Sequence, residues 1–277
     1  MKIVSFDCGI KNLAVCSIQI EKINEKEILN KLSEIRKKIN KLQKYLPEDI
    51  YIELNDLCQS IFIYTISKRF KILFWKNINL FPIPTELKEL KCNGCKRSAT
   101  VYRTTKLGYC KMHQPTNIRC KQIKERDVKK ISELEIITTL TKTLDQYPEL
   151  LQVDYILIEQ QPTKNSKMKA IETILSTYFG IRGIVDSDAK IQSIKKVSSK
   201  HKLRGSTKLE KEKINQLFSN STKKKGYAQR KDVSVQRART LLNTKWNKFL
   251  DDNKGKRDDL CDAFLQAYTY FDILNNN

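Results

Sequence analysis

VDYILIEQQP, residues 153–162, is the stretch that decides the fold. Its first part, Val153–Glu159, is an unbroken apolar run closed by an acid, the pattern of a strand covered on both faces within a parallel sheet. Helical patterns lie on either side. Residues 122–146 (QIKERDVKKISELEIITTLTKTLDQ) predict one long amphipathic helix that Pro148 stops, and residues 165–186 predict a second leading into Gly180 and Gly183. Nearer the start, KIVSFD (residues 2–7) is a short β-type run ending in Asp7. Gly9 then supplies a turn, and an apolar pattern resumes at Ala14 (AVCSIQI), so the pair reads as a hairpin. Residues 25–46 have helical spacing interrupted by Asn30 and Asn40, residues 50–81 fit either short strands or a helix, and residues 233–250 and 257–274 predict two closing helices. The class is α/β: a mixed sheet flanked by helices.

Composition narrows the setting. A chain of 277 residues with 40% hydrophobic and 30% charged side chains is long enough for a sizeable core and is not of the disordered type. No apolar stretch approaches the roughly 18–20 residues of a membrane span. MKIVSFDCGIKN has the pattern of neither a signal peptide nor an acid-poor transit peptide, so an intracellular protein without membrane contact is expected. The charge balance, 53 Lys and Arg against 31 Asp and Glu, gives a formal +22 and points to a polyanionic partner, nucleic acid first. The densest run, residues 195–231, reads as a DNA-facing segment, with Lys200, Lys202, Arg204, Lys223, Lys224, Lys225 and Arg230 as candidate contacts.

Acids stand at the three places where hydrolysis of a phosphodiester by two metal ions requires them, the third place holding a pair. Asp7 ends the first strand, Glu159 ends the buried strand, and Asp259 and Asp262 are three apart in the helical RDDLCDAFLQAY, hence on one helix face. Hard carboxylate oxygens suit Mg²⁺ or Mn²⁺. Two such ions roughly 3.5–4 Å apart activate the attacking water and stabilise the leaving oxygen. Singly, each acid has an ordinary explanation: a turn before Gly9 for Asp7, a helix N-terminus for Asp258 and Asp259. An acid closing an apolar strand is harder to explain away, because an unpaired buried charge is costly.

The blocks FDCGIKNLAV, IEQQP and KRDDLCDAFLQAY, taken in order, resemble the three active-site motifs of RuvC-type Holliday junction resolvases, in particular the poxviral and mitochondrial members. The resemblance implies a ribonuclease H-like sheet, with Asp7, Glu159, Asp259 and Asp262 as metal ligands and the glutamine following Glu159 as its support. It further implies a homodimer that resolves a four-way junction by two symmetric nicks, one at each subunit's Mg²⁺ site. QRKDVSVQRARTLL resembles the segment that carries a catalytic lysine in the bacterial resolvases and places Lys231 there. KVSSKHKLRG matches more loosely and offers Lys202, with Lys200 as its neighbour. A fixed cation near the scissile phosphate stabilises the added negative charge of the transition state. The family's settings, recombination and the resolution of replicated viral or organellar genomes, leave nucleus, viral factory and organelle open.

Of eight cysteines, Cys8, Cys16, Cys58 and Cys261 stand alone and read as small buried hydrophobes. The rest lie between Cys92 and Cys120. Cys92 and Cys95 form C-x2-C, and Cys110 and His113 form C-x2-H, the ligand set of a tetrahedral structural Zn²⁺, with Cys120 spare. A zinc ribbon at residues 82–120 is therefore expected between a first part of the nuclease domain, 1–81, and its remainder, 121–277. It carries Lys91, Lys96, Arg97, Arg103, Lys106 and Lys111, and it departs from the minimal bacterial resolvase, which has no such insertion.

Three other readings compete. A binder of branched DNA that does not cut is disfavoured by acids retained in a phosphate-binding cleft. A sugar-kinase or actin-like ATPase would need a second glycine-rich phosphate loop, which the chain, with 8 glycines, does not show. A nuclease for flaps or transposon ends shares all the chemistry described.

Overall fold

The computed structural model describes residues 1–20, 25–68, 70–186, 190–203 and 227–276. Strands β1 (Lys2–Asp7) and β2 (Leu13–Ile20) form the expected antiparallel hairpin, in register from Lys2 opposite Gln19 to Asp7 opposite Ala14. Gly9 is required in the connecting turn: a β-carbon there would stand 2.2 Å from the Asn12 carbonyl oxygen. Helices α1 (Glu25–Leu42) and α2 (Glu48–Lys68) follow, then β3 (Phe70–Ile78), so the ambiguous segment is a helix and then a strand.

The buried run becomes β7 (Tyr155–Glu159), and β8 (Ser193–Val197) lies beside it. The sheet order is β3-β2-β1-β7-β8, with β2 antiparallel to both its neighbours and β1, β7 and β8 parallel. Both faces are covered, as the apolar run requires. Leu157 packs with Leu260, Phe264 and Ala267 of the last helix, whereas Ile156 and Ile158 pack with residues of α4 (Glu133–Leu144) and α5 (Ser166–Gly180) on the opposite face.

Three expectations need correction. The helix of residues 122–146 begins only at Glu133, because Ser132 caps it: its hydroxyl accepts from the Glu135 amide while the Glu135 carboxylate accepts from the Ser132 amide. Before that point lie extended chain and one 3-10 turn, Val128–Lys130. The first closing helix is two, α6 (Tyr227–Leu241) and α7 (Thr244–Asp252), since the Asn243 side chain accepts from the Trp246 amide and starts a new helix. The second closing helix, α8, spans Arg257–Asn276. Cys58 is half-buried, unlike Cys8, Cys16 and Cys261, which are buried.

Ser132→Ala should remove one capping bond and cost about 1 kcal/mol, read as a shift in the urea midpoint at unchanged slope. Arg126 and the Ser132 cap hold Glu135 down to about 2, so the contribution of its carboxylate is present above the ordinary glutamate range and is lost as pH falls toward 2.

The short helix α3 (Thr85–Lys88) leads into a separate three-stranded sheet of β4 (Val101–Thr104), β5 (Leu107–Tyr109) and β6 (Lys121–Gln122), ordered β5-β4-β6. This small structure therefore runs past residue 120 to Gln122.

Candidate active site and metal centre

Phe6 pairs with Ile158 across the parallel β1–β7 ladder, so the next residues, Asp7 and Glu159, emerge side by side at the ends of the two strands. Their carboxyl groups are hydrogen-bonded to each other. Burial pushes Asp7 well above the usual carboxylate range, and the bond to Glu159 adds to the rise. Burial also works against ionisation of Glu159. The hydrogen bonds from Asp7, Lys202 and Gln161 and the charge of Lys202 outweigh it, and they hold Glu159 below the usual range.

The last helix brings the third carboxylate. Trp75 of β3 donates its indole N–H to the Leu260 carbonyl at 3.0 Å, and its ring packs on Phe249 and Phe264 at centroid separations of 5.2 and 5.6 Å. Leu260 lies between Asp259 and Asp262, so this contact fixes the acidic turn of α8 against the sheet. Between the strands and the helix stands Lys202, on the 3-10 turn Ser199–Leu203 that follows β8. Its ammonium is 2.7 Å from Asp262 Oδ2, 2.9 Å from Glu159 Oε1 and 3.9 Å from Asp7 Oδ1, with only 7% of the side chain exposed. Burial alone would lower its pKa, but the three acids raise it above the ordinary lysine value, so it is a cation. Arg237 of α6, itself buried, donates to the Lys202 carbonyl at 2.5 Å and holds the turn in place.

Lys202→Met should therefore leave Glu159 and Asp262 without their counter-charge and cost about 3 kcal/mol, the scale of a broken buried ion pair. The measurement is urea unfolding in the absence of divalent ions. Stability equal to wild type there would mean that the ammonium does not hold the acids together.

The other sequence-derived candidates fall in two groups. Asp259 is 3.8 Å from Lys231, whose ammonium makes a short contact to Asp258. Burial and the neighbouring Asp258 raise Asp259, whereas Lys231 outweighs burial at Asp258 and lowers it. Lys231 thus belongs to the Asp258–Asp259 end of the acidic turn and Lys202 to the Asp7–Glu159–Asp262 group. Lys200 is exposed, Arg230 lies on α6, and Arg204, Lys223, Lys224 and Lys225 lie outside the described residues.

The glutamine that supports Glu159 is Gln161, not the adjacent Gln160. The Gln161 side chain donates to Glu159 Oε2 at 3.0 Å, whereas Gln160 is exposed. Sequence reasoning also missed Glu172 of α5. Fully buried, it accepts from the Gln161 amide at 2.7 Å and from the ammonium groups of Lys169 and Lys196 at 2.7 and 2.9 Å. It thereby anchors the backbone that carries Gln161. Its position beside Ile171 and three residues before Leu175, on an apolar helix face, was the available signal.

In the small sheet, Cys92, Cys95, Cys110 and His113 gather so that their ligand atoms all lie within 4.8 Å of one another. Contacts of 3.4 Å (Cys110 to His113), 3.6 Å (Cys92 to His113) and 3.7 Å (Cys95 to Cys110) match the edges, about 3.3–3.8 Å, of a tetrahedron around a Zn²⁺ ion. Burial raises the Cys92 thiol, but backbone N–H groups, among them that of Gly94 at 3.4 Å, hold it down to about 6. A thiol so placed is ready to be a thiolate ligand. Cys120 is outside the group.

A five-stranded sheet in this order, with its second strand antiparallel and acids at the ends of its first and fourth members, decides the architecture. It is the mixed sheet flanked by helices, in the strand order expected of a ribonuclease H-like chain. No protein-family model matches the chain. It is 32% identical over 199 residues to an uncharacterized protein of Acanthamoeba polyphaga mimivirus, a match covering 65% of this chain and 47% of that protein, so the chain spans about half the length of the curated relative it matches. Among solved structures, the yeast mitochondrial Holliday junction resolvase Ydc2 aligns with a TM-score of 0.42 at 14% identity, over 97% of this chain and 78% of its own. RuvC of Thermus thermophilus aligns with a TM-score of 0.39 at 8% identity, over 97% and 92%. Among the described residues no helix is long and apolar enough to cross a membrane.

Proposed function

We propose that this chain is a divalent-metal-dependent endonuclease that resolves four-way DNA junctions by paired nicks, acting as a homodimer at a site of DNA replication or recombination. The observation that carries the reading is the convergence of Asp7, Glu159 and Asp262, from two strands and the last helix, around one buried ammonium. The donor set fits hard cations. All its atoms are carboxylate oxygens, and Asp262 Oδ1 is buried without a hydrogen-bond partner, an orphan lone pair that a metal would satisfy. Asp7, Glu159, Asp262 and, from the same helix face, Asp259 would hold Mg²⁺ or Mn²⁺, two ions in the two-metal scheme. Bound there, the ions supply an activated water and Lewis-acid stabilisation of the leaving oxygen.

The protein's own groups do the remaining work. Gln161 keeps Glu159 oriented, and Glu172 keeps Gln161 in place. Lys202, inside the acidic group, and Lys231, at its Asp258–Asp259 end, are fixed cations for a phosphodiester whose charge grows in the transition state. The Cys92, Cys95, Cys110 and His113 set, with four protein ligands and no open position, is proposed to hold a structural Zn²⁺ in a ribbon inserted between the first motif and Glu159.

The test is nick mapping on labelled four-way junctions with Mg²⁺, against linear duplex and flap controls. Nicks paired symmetrically across the junction support the reading. Cutting that prefers flaps or linear duplex discards junction specificity and keeps the chemistry, and tight binding without any cut in Mg²⁺ or Mn²⁺ replaces the enzyme with a branched-DNA binder.

A further inference from the structure

From Leu90 to Lys124 the chain carries nine Lys and Arg and not one Asp or Glu, in a protein with 31 acids over 277 residues. All nine are exposed, and among the described residues none has an ion-pair partner. Elsewhere exposed cations do find acids, as Lys11 does with Glu125 and Arg126 with Glu135. Nine exposed cations without internal counter-charge repel one another, a cost that a polyanion removes on binding.

The placement of this segment narrows the partner. Its stems are fixed at the turn that leaves Asp7. On one side Leu80 and Phe81 are buried in the core, and the Phe81 amide donates to Asn79 Oδ1 at 3.0 Å. On the other, Glu125 accepts from Asn79 Nδ2 at 3.4 Å and from Lys11 at 2.9 Å, and Lys11 belongs to the turn between β1 and β2. The Arg126 guanidinium lies over the Phe81 ring, 5.9 Å from its centroid. The basic segment is thus tied next to the carboxylates, on a small sheet that is a platform and not a free tail.

We infer that residues 90–124 form a phosphate-backbone clamp that holds a duplex DNA arm beside the acidic site. The inference rests on the nuclease reading and adds to it a second contact surface, one that reads backbone charge and not base sequence. Its cations act as point contacts, each releasing counterions from the duplex when it binds.

The test uses the full zinc-loaded chain, with Asp7→Asn in every version so that DNA is not cut, and fluorescence anisotropy on a four-way junction over a range of salt. Replacing Lys96, Arg97, Arg103 and Lys106 together by Gln should weaken binding at least tenfold. It should also lower the slope of log affinity against log salt by about 3–4, at roughly 0.9 per lost phosphate contact. A control removing the same charge from helix α1 and the turn after it, with Lys37, Lys38, Lys41 and Lys44 changed to Gln, should lower the slope by less than one. Zinc content reports whether the clamp variant is folded. A second set (Lys91, Lys111, Arg119 and Lys124 to Gln) takes its place if it is not. A clamp variant whose slope stays within one of the parent, or that only matches the α1 control, overturns the inference while the nuclease reading stands. A parent protein that does not bind the junction at all overturns both.

Discussion

Asp7→Asn is expected to leave a folded protein that still binds a four-way junction but cuts it at least about 10³-fold more slowly, the upper scale for losing one preorganised electrostatic contact to the reacting group. Two features of the site make this variant informative. Burial and the contact with Glu159 push Asp7 well above the usual carboxylate range, so the neutral Asn, with the same shape and a donating amide, suits that place and should change stability by less than about 1 kcal/mol. Metal binding, by contrast, needs the carboxylate that Asn cannot supply. The measurement is single-turnover cleavage with enzyme in excess, beside a urea curve and a junction-binding titration. Cleavage within tenfold of wild type would remove Asp7 from the site, whereas a loss that follows unfolding would say nothing for chemistry and would contradict the stability just given.

The second large effect belongs to the small sheet. Its strands are four, three and two residues long, and within residues 90–124 the buried side chains reduce to Cys92, Val101 and Cys110. Nothing there amounts to a hydrophobic core. Structural zinc contributes about 10–16 kcal/mol to comparable small folds, which this sheet has no other means of replacing. Chelation, or Cys110→Ser, should therefore release one zinc per chain and abolish amide protection in β4, β5 and β6. Protection in β1, β2 and β7, which rest on two apolar clusters, should persist. Hydrogen exchange read strand by strand decides it. Protection in β4 that survives chelation would mean that the cysteines and the histidine do not hold the sheet together.

Much of the architecture was legible because burial leaves an unambiguous mark on sequence. The apolar run ending at Glu159 reads as a strand covered on both faces, although the strand starts at Tyr155 and not at Val153, and the acids Asp7 and Glu159 fall at neighbouring strand ends. Asp262 followed from helical spacing. What the sequence did not yield is instructive in kind. The Ser132–Glu135 capping box was written in the chain, yet the Lys- and Glu-rich periodicity upstream masked it and the helix was drawn too long. Gln161 rather than Gln160 supports Glu159 because side chains two apart along an extended chain share a side. Glu172 shares the buried face of α5 with Ile171 and Leu175, but its role was not legible: its partners Lys169, Lys196 and the Gln161 amide come from three elements, and only the folded chain brings them to one buried point. Lys202 was singled out by a loose family likeness, and nothing in its local sequence tells that its ammonium sits inside the acidic group.

The residues that meet at that point are numbers 7, 159, 202 and 262 of 277. The ends of β1 and β7 are 152 positions apart, with α1, α2, β3 and the whole small sheet intervening. During synthesis on the ribosome, the Cys92 to His113 set is therefore complete before β7, the parallel neighbour of β1, has been made. The carboxylate group is assembled last, when α8 docks against Trp75. Under the proposed nuclease function, a nascent or prematurely ended chain has no assembled site with which to cut the nucleic acid around it.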